Sequence, residues 1–171
     1  MRTPRFWPGR LGTISAVVDF RRNTASAAQI AEHLGRCDAD FVPPLSARVD
    51  IGSYAEKIAS KATRFEAWAD SVLLGLVAAY CNDREHGIAY ITSVSVLRAW
   101  TGQGVAARLL DQCVEHALAS GLRQVSLEVA SDNTPAINLY EKSGFVAGRT
   151  GTPFLGMDIY LNNGPEHEQQ A

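Results

Sequence analysis

The stretch TGQGVAARLL, Thr101–Leu110, decides how this chain is read. Two glycines one residue apart, followed by apolar residues at helical spacing, describe a tight loop that opens a helix. Such a loop turns successive backbone N–H groups toward a helix N-terminus, an arrangement that holds a pyrophosphate. Two patterns fit. Gly102, Gly104 and Ala107 satisfy the G-x-G-x-x-A dinucleotide fingerprint, and Glu128 follows at about the separation of its acidic residue. Thr101, Gly104 and Ala106 fall one residue short of a different loop, [Q/R]-x-x-G-x-[G/A]. These ten residues do not choose between them.

Working outward, HGIAYITSVSVL before the loop is long and rich in β-branched residues, which predicts a central strand. After it, Ala106, Leu109, Leu110, Cys113, Val114 and Ala117 form an amphipathic helical stripe that Gly121 stops. RQVSLEVA reads as a strand with Val125, Leu127 and Val129 on one face and Ser126 and Glu128 on the other. Pro135 at the first helical position starts PAINLYEKS, stopped by Gly144, and GFVAGRTGTPFLGMDIYL supplies two strands. Upstream, Thr13–Phe20 reads as a strand, and a capping box of Ser26 with Gln29 opens a helix ended by Gly35. Pro43 and Pro44 break the following loop, and a second capping box, Ser53 with Glu56, opens another helix. RFEAWAD and SVLLGLVAAYC are then strands about a turn at Asp70 and Ser71. This order predicts an α/β chain with a mixed sheet whose later β-α-β unit is parallel.

The 171 residues, 46% hydrophobic and 20% charged, suit one globular domain with a sizeable core. The expected layout is a domain over 11–162 between poorly ordered tails, 1–10 and 163–171. A net charge of −2 argues against a nucleic-acid or acidic-membrane partner held by bulk electrostatics, and no apolar run is long enough to span a membrane. Cys37, Cys81 and Cys113 are too few and scattered for a disulfide framework or zinc site and read as reduced, half-buried thiols. A basic start, the mildly apolar LGTISAVVDF and a following ASA outline a signal peptide, but Asp19 interrupts it and Arg21 and Arg22 precede the cleavage position. The expected location is therefore cytoplasmic.

The dinucleotide reading weakens on three points. LRAWT separates the strand from Gly102, Glu128 lies inside a strand instead of closing one, and too little chain follows for a doubly wound sheet. The other reading gains support. VSVLRAWTGQGVAARLL followed by LEVASDNTPAINLYEKSGF closely resembles the GNAT superfamily of acyl-CoA-dependent N-acetyltransferases, over roughly Gly75 to Leu161. Asn133, Ala136, Leu139, Tyr140, Gly144 and Phe145 fall at the family spacing. The fold this implies is a mixed, mostly antiparallel sheet splayed between its central strands, with flanking helices. Glu128 and Tyr140, with Asn133 between, resemble the pattern of bacterial ribosomal-protein N-terminal acetyltransferases, where the carboxylate is the base and the tyrosine the acid. One departure is Thr101, which stands where the family has Arg or Gln; the backbone donors of Gly102, Gln103, Gly104, Val105 and Ala106 remain.

The resemblance implies acetyl-CoA as co-substrate, with no metal. Its pantetheine arm would pair with backbone at Val94 and Val96, and Asn133 would bond the arm's amides, a role compatible with capping a helix before Pro135. Amine acetylation needs the amine deprotonated and the leaving thiolate protonated; Glu128 suits the first task and Tyr140 the second. The plainer readings are a solvated strand face for Glu128 and a core tyrosine for Tyr140. Cys113 belongs to the packing stripe, so a covalent acyl-cysteine route is rejected; Cys81 lacks an indicated base. In GNAT proteins acceptor specificity comes from the first helix pair, its loop and the last strand pair. Here Arg48, Asp50 and Tyr54 are candidate polar contacts, and Phe41 and Phe154 candidate apolar walls. The acceptor class stays open between a small amine or amino sugar and a protein N-terminus, and a homodimer is neither required nor excluded. The competing readings are a non-catalytic acyl-CoA-binding module and, third, a dinucleotide-dependent oxidoreductase.

Overall fold

A computed structural model describes residues 5–7, 16–149 and 151–161, and these form eight strands and four α-helices. The tails 1–4, 8–10 and 163–171, and the first residues of the expected strand at Thr13, lie outside the described residues. The chain divides into two units.

The first unit comprises residues up to 78 together with 93–109. β1 (Arg5–Trp7) pairs antiparallel with β2 (Ala16–Arg22), and β2 with β3 (Thr63–Ala69) in the register Asp19↔Trp68 to Arg22↔Phe65. β3 turns back into β4 (Val72–Asp83) through Asp70 and Ser71, both at positive φ, as a two-residue hairpin turn requires. The end of β5 (Ile88–Val96) completes this sheet.

Helix α1 (Ala27–Cys37) has the predicted capping box: Gln29 N donates to Ser26 Oγ, and Ser26 N donates to Gln29 Oε1. Gly35 is not its C-cap. The helix continues to Cys37 because Ile30, Leu34 and Cys37 share one buried stripe, and packing along it outweighs the glycine's weak preference. α2 (Ile51–Lys61) starts earlier than the Ser53–Glu56 box predicts. Asp50 is its N-cap, its carboxylate accepting from Ser53 N at 2.9 Å and Ser53 Oγ at 2.8 Å. α1 packs on α2.

The second unit holds residues 79–92 and 110 onward. Here the strand order is β4, β5, β6 (Gln124–Ala130), β8 (Phe154–Tyr160) and β7 (Val146–Arg149). β5 and β6 run parallel, and their ladder covers three pairs, Ile88↔Gln124 to Tyr90↔Ser126. β6 pairs antiparallel with β8 along its whole length. The result is the mixed, mostly antiparallel sheet with flanking helices that the resemblance implies.

Most of α3 (Val105–Ala119) and all of α4 (Thr134–Lys142) belong here. Leu110, Cys113 and Ala117 on α3 are fully buried, as are Val125 and, nearly so, Leu127 on β6. Each large apolar side chain so buried contributes about 1.5–3 kcal/mol. Of the predicted α3 stripe, Ala106 and Val114 are only half-buried, and Val105 takes the core position instead. α4 begins at Thr134, so Pro135 is its second residue, and Asn133 is the cap.

Candidate active site

In the first unit, the loop after β5 is fastened before it turns. Leu97 N donates to Leu74 O on β4 at 2.8 Å, and a 3-10 turn, Arg98–Trp100, follows. Thr101 Oγ1 donates to Arg98 O at 2.8 Å, so the hydroxyl at the departing position closes this turn. The Arg98 guanidinium is paired with the Asp40 carboxylate. Gly102 and Gly104 stand at φ of 76° and 83°, in the left-handed region that side chains disfavour. Gly104 O accepts the first helical bond, from Arg108 N at 3.0 Å. The first-turn N–H groups of α3 therefore have no carbonyl one turn earlier, and the helix dipole adds positive potential there.

Gly75 lets this turn approach the sheet: a Cβ there would lie 2.8 Å from Val105 Cγ1 and 3.2 Å from Leu109 Cδ1. Two buried polar atoms beside the loop, Gln103 Oε1 and Arg108 Nε, have no hydrogen-bond partner among the described residues, and the Arg108 guanidinium sits 5.9 Å from the Phe20 ring centroid. Val94 and Val96 lie on β5, both half-buried. Backbone nitrogen donors, the unmet Arg108 Nε and two glycines without a Cβ fit a phosphate-bearing ligand.

In the second unit, β6 divides as predicted. Val125, Leu127 and Val129 are buried, and Glu128 is exposed on the opposite face. That face is an organised one. Asp158 Oδ1 accepts from Ser126 Oγ at 2.6 Å and Gln124 Nε2 at 2.8 Å, and the Tyr90 hydroxyl lies 3.4 Å from Glu128 Oε1. Asn133 Oδ1 accepts from Ala136 N at 3.4 Å, so its capping role is realised. Tyr140 is the buried side chain of α4, edge-on to Phe145 at 6.0 Å between ring centroids. Burial pushes its phenol up to about 12, so it stays protonated throughout the working pH range.

The candidate acceptor residues are scattered. Arg48 and Asp50 line an open depression of about 610 Å³ formed by residues 46–52 at the start of α2. Asp50 is also the α2 cap, and its two bonds from Ser53 hold its carboxyl below the usual range. Phe41 and Tyr54 are half-buried outside that lining, and Phe154, in the second unit, is half-buried at the start of β8 opposite Ala130. Cys37 and Cys113 are buried, not half-buried as predicted, and burial raises both thiols, Cys37 to about 11. Neither is a thiolate at neutral pH.

The family model described as Acetyltransferase (GNAT) family matches residues 28–145. The chain belongs to the GNAT family. It is 33% identical over 96 residues to a streptothricin acetyltransferase of Escherichia coli, a match covering 56% of this chain and 50% of that one, so the chain spans about half of that relative. The ribosomal-protein-S18-alanine N-acetyltransferase of Escherichia coli superposes with a TM-score of 0.69 at 16% identity, over 87% of this chain and 97% of that one. YncA of Salmonella typhimurium, a structure solved with its cofactor acetyl-CoA, gives 0.67 at 16% identity over 85% and 94%. At such identities the two structures speak to the fold alone.

Sequence reasoning misses three residues of this GNAT chain that the structure places prominently. Tyr90 on β5 meets Glu128, although nothing in either strand's own pattern announces the pairing. His33, nearly fully buried, bonds Leu73 O and Ser95 Oγ, each at 2.8 Å. A carbonyl only accepts, so Nδ1 carries the proton and Nε2 accepts from Ser95; burial lowers the ring to about 4, and it is neutral. Ser95 lies between Val94 and Val96, so His33 braces that strand end. Glu66, fully buried, receives Thr24 N, Thr24 Oγ1, Ala25 N and Trp68 Nε1.

Proposed function

We propose that this chain is an acetyl-CoA-dependent N-acetyltransferase that works by direct attack of a primary amine within a ternary complex. Family membership supports the reaction class. The observation that carries the chemical reading is the contrast between two groups of the second unit: an exposed carboxylate, Glu128, and a buried, protonated phenol, Tyr140. Acetyl transfer asks for that pair, a proton acceptor open to the arriving amine and a donor kept in its acid form.

In this reading the backbone N–H groups of Gly102 to Ala106 hold the pyrophosphate, with Arg108 Nε offering a further donor beside it. Backbone at Val94 and Val96 pairs with the pantetheine arm, and Asn133 adds a side-chain amide. The amine lone pair attacks the thioester carbonyl, so a C–N bond forms and the C–S bond breaks. Glu128 takes the proton lost by nitrogen, directly or through water. Tyr140 gives its proton to the departing sulfur and recovers one from solvent, leaving an amide and free coenzyme A. The acceptor is a primary amine, either a small amine or amino sugar or a peptide N-terminus.

The test is release of free thiol from acetyl-CoA with putrescine, glucosamine and a short peptide bearing a free alanine N-terminus, checked by mass spectrometry of the product. An acceptor gaining one acetyl group supports the proposal. Tight coenzyme A binding without transfer to any of them would make the protein a binding module instead.

A further inference from the structure

We propose that Tyr90 is a positioning residue for Glu128: its hydroxyl holds the carboxylate in the orientation from which it accepts the amine proton. This deepens the proposed function and rests on that reading. The hydroxyl stands 3.4 Å from Glu128 Oε1, within reach and long for an O–H···O bond. Catalytic hydrogen bonds often have this length before substrate arrives and tighten in the reacting complex.

The contact is built by strand register. Tyr90 pairs with Ser126 in the parallel ladder, so its ring shares a face with Ser126 and Glu128, and the long side chain spans the diagonal to residue 128. It lies at the last pair of that ladder, where β5 is still anchored to β6. The β8 neighbour of Glu128 is Gly156, which brings no side chain against the carboxylate from that strand.

The other polar groups of this face are engaged elsewhere. Asp158 on β8 accepts from Ser126 and Gln124, so those two donors serve a different carboxylate. Tyr90 is the hydroxyl that reaches the exposed Glu128, whose side chain otherwise samples several rotamers at a cost to each productive encounter.

The test is a double-mutant cycle with Tyr90→Phe and Glu128→Gln, using acetyl-CoA and the fastest of putrescine, glucosamine and the alanine-terminated peptide. Phe keeps the ring and removes the hydroxyl, so thermal unfolding stays as in wild type. The expected result is a fall in kcat of about tenfold, with KM for acetyl-CoA and acceptor within about twofold of wild type. In the Glu128→Gln background the same substitution costs nothing further. An unchanged kcat in Tyr90→Phe overturns the proposal, as does an equal loss in both backgrounds, which would mean Tyr90 acts independently of Glu128. A wild-type protein that transfers acetyl to none of the three acceptors removes the acetyltransferase reading, and the role of Tyr90 with it.

Discussion

At the scale of single residues, Glu128 and Tyr140 carry the chemistry proposed here, a proposal that starts from their spacing within a family motif. What surrounds them was not legible there. The β6 face that carries Glu128 is an arranged one, because Asp158 and Tyr90 reach it from other strands. Glu128→Gln keeps shape and removes basicity, so kcat should fall at least about 10²-fold while the fold is retained, read by steady-state kinetics beside circular dichroism. Glu66, within the strand RFEAWAD, drew no reading from the sequence, yet it is fully buried and collects donors from the segment before α1. Glu66→Ala leaves those donors unmet in the interior and should cost about 3 kcal/mol or more in urea unfolding.

Elements were read well where a local signal had no competitor. The Ser26–Gln29 box, the positive-φ turn at Asp70 and Ser71, and the alternation of Val125, Leu127 and Val129 all appear as expected. Boundaries failed where tertiary packing outweighed a local preference, as at Gly35, or where two caps competed, as Asp50 did with Ser53. The loop into α3 shows why a motif alone is incomplete. Its glycines supply the backbone shape, but its position comes from Gly75, far away on β4. Gly75→Ala forces a methyl to within 2.8 Å of Val105. It should destabilise by about 1–3 kcal/mol and weaken coenzyme A binding in calorimetry, without changing any residue of the loop itself.

For the whole molecule, interactions invisible in the sequence join residues far apart in the chain: His33 with Ser95 across 62 positions, Thr24 with Glu66 across 42, Tyr90 with Glu128 across 38. No window of sequence contains both partners. His33 also makes stability depend on pH. Its ring is held near 4 when folded, against about 6.5 when exposed, so acid protonates the unfolded chain first. The stabilisation is fully present above about pH 6.5 and is lost as pH falls through about 4, on the order of 3 kcal/mol in all. Urea midpoints measured across that window should decline with acid, and His33→Gln should flatten the decline.

The most direct test of the account is the rate at which acetyl-CoA bound to the protein loses its acetyl group to an amine in a single turnover, wild type against Tyr140→Phe. The account predicts acceptor-dependent thiol release that slows about 10²-fold or more in the variant, with coenzyme A affinity little changed. Equal rates in the two proteins would contradict it, because the sulfur would then take its proton from somewhere other than Tyr140.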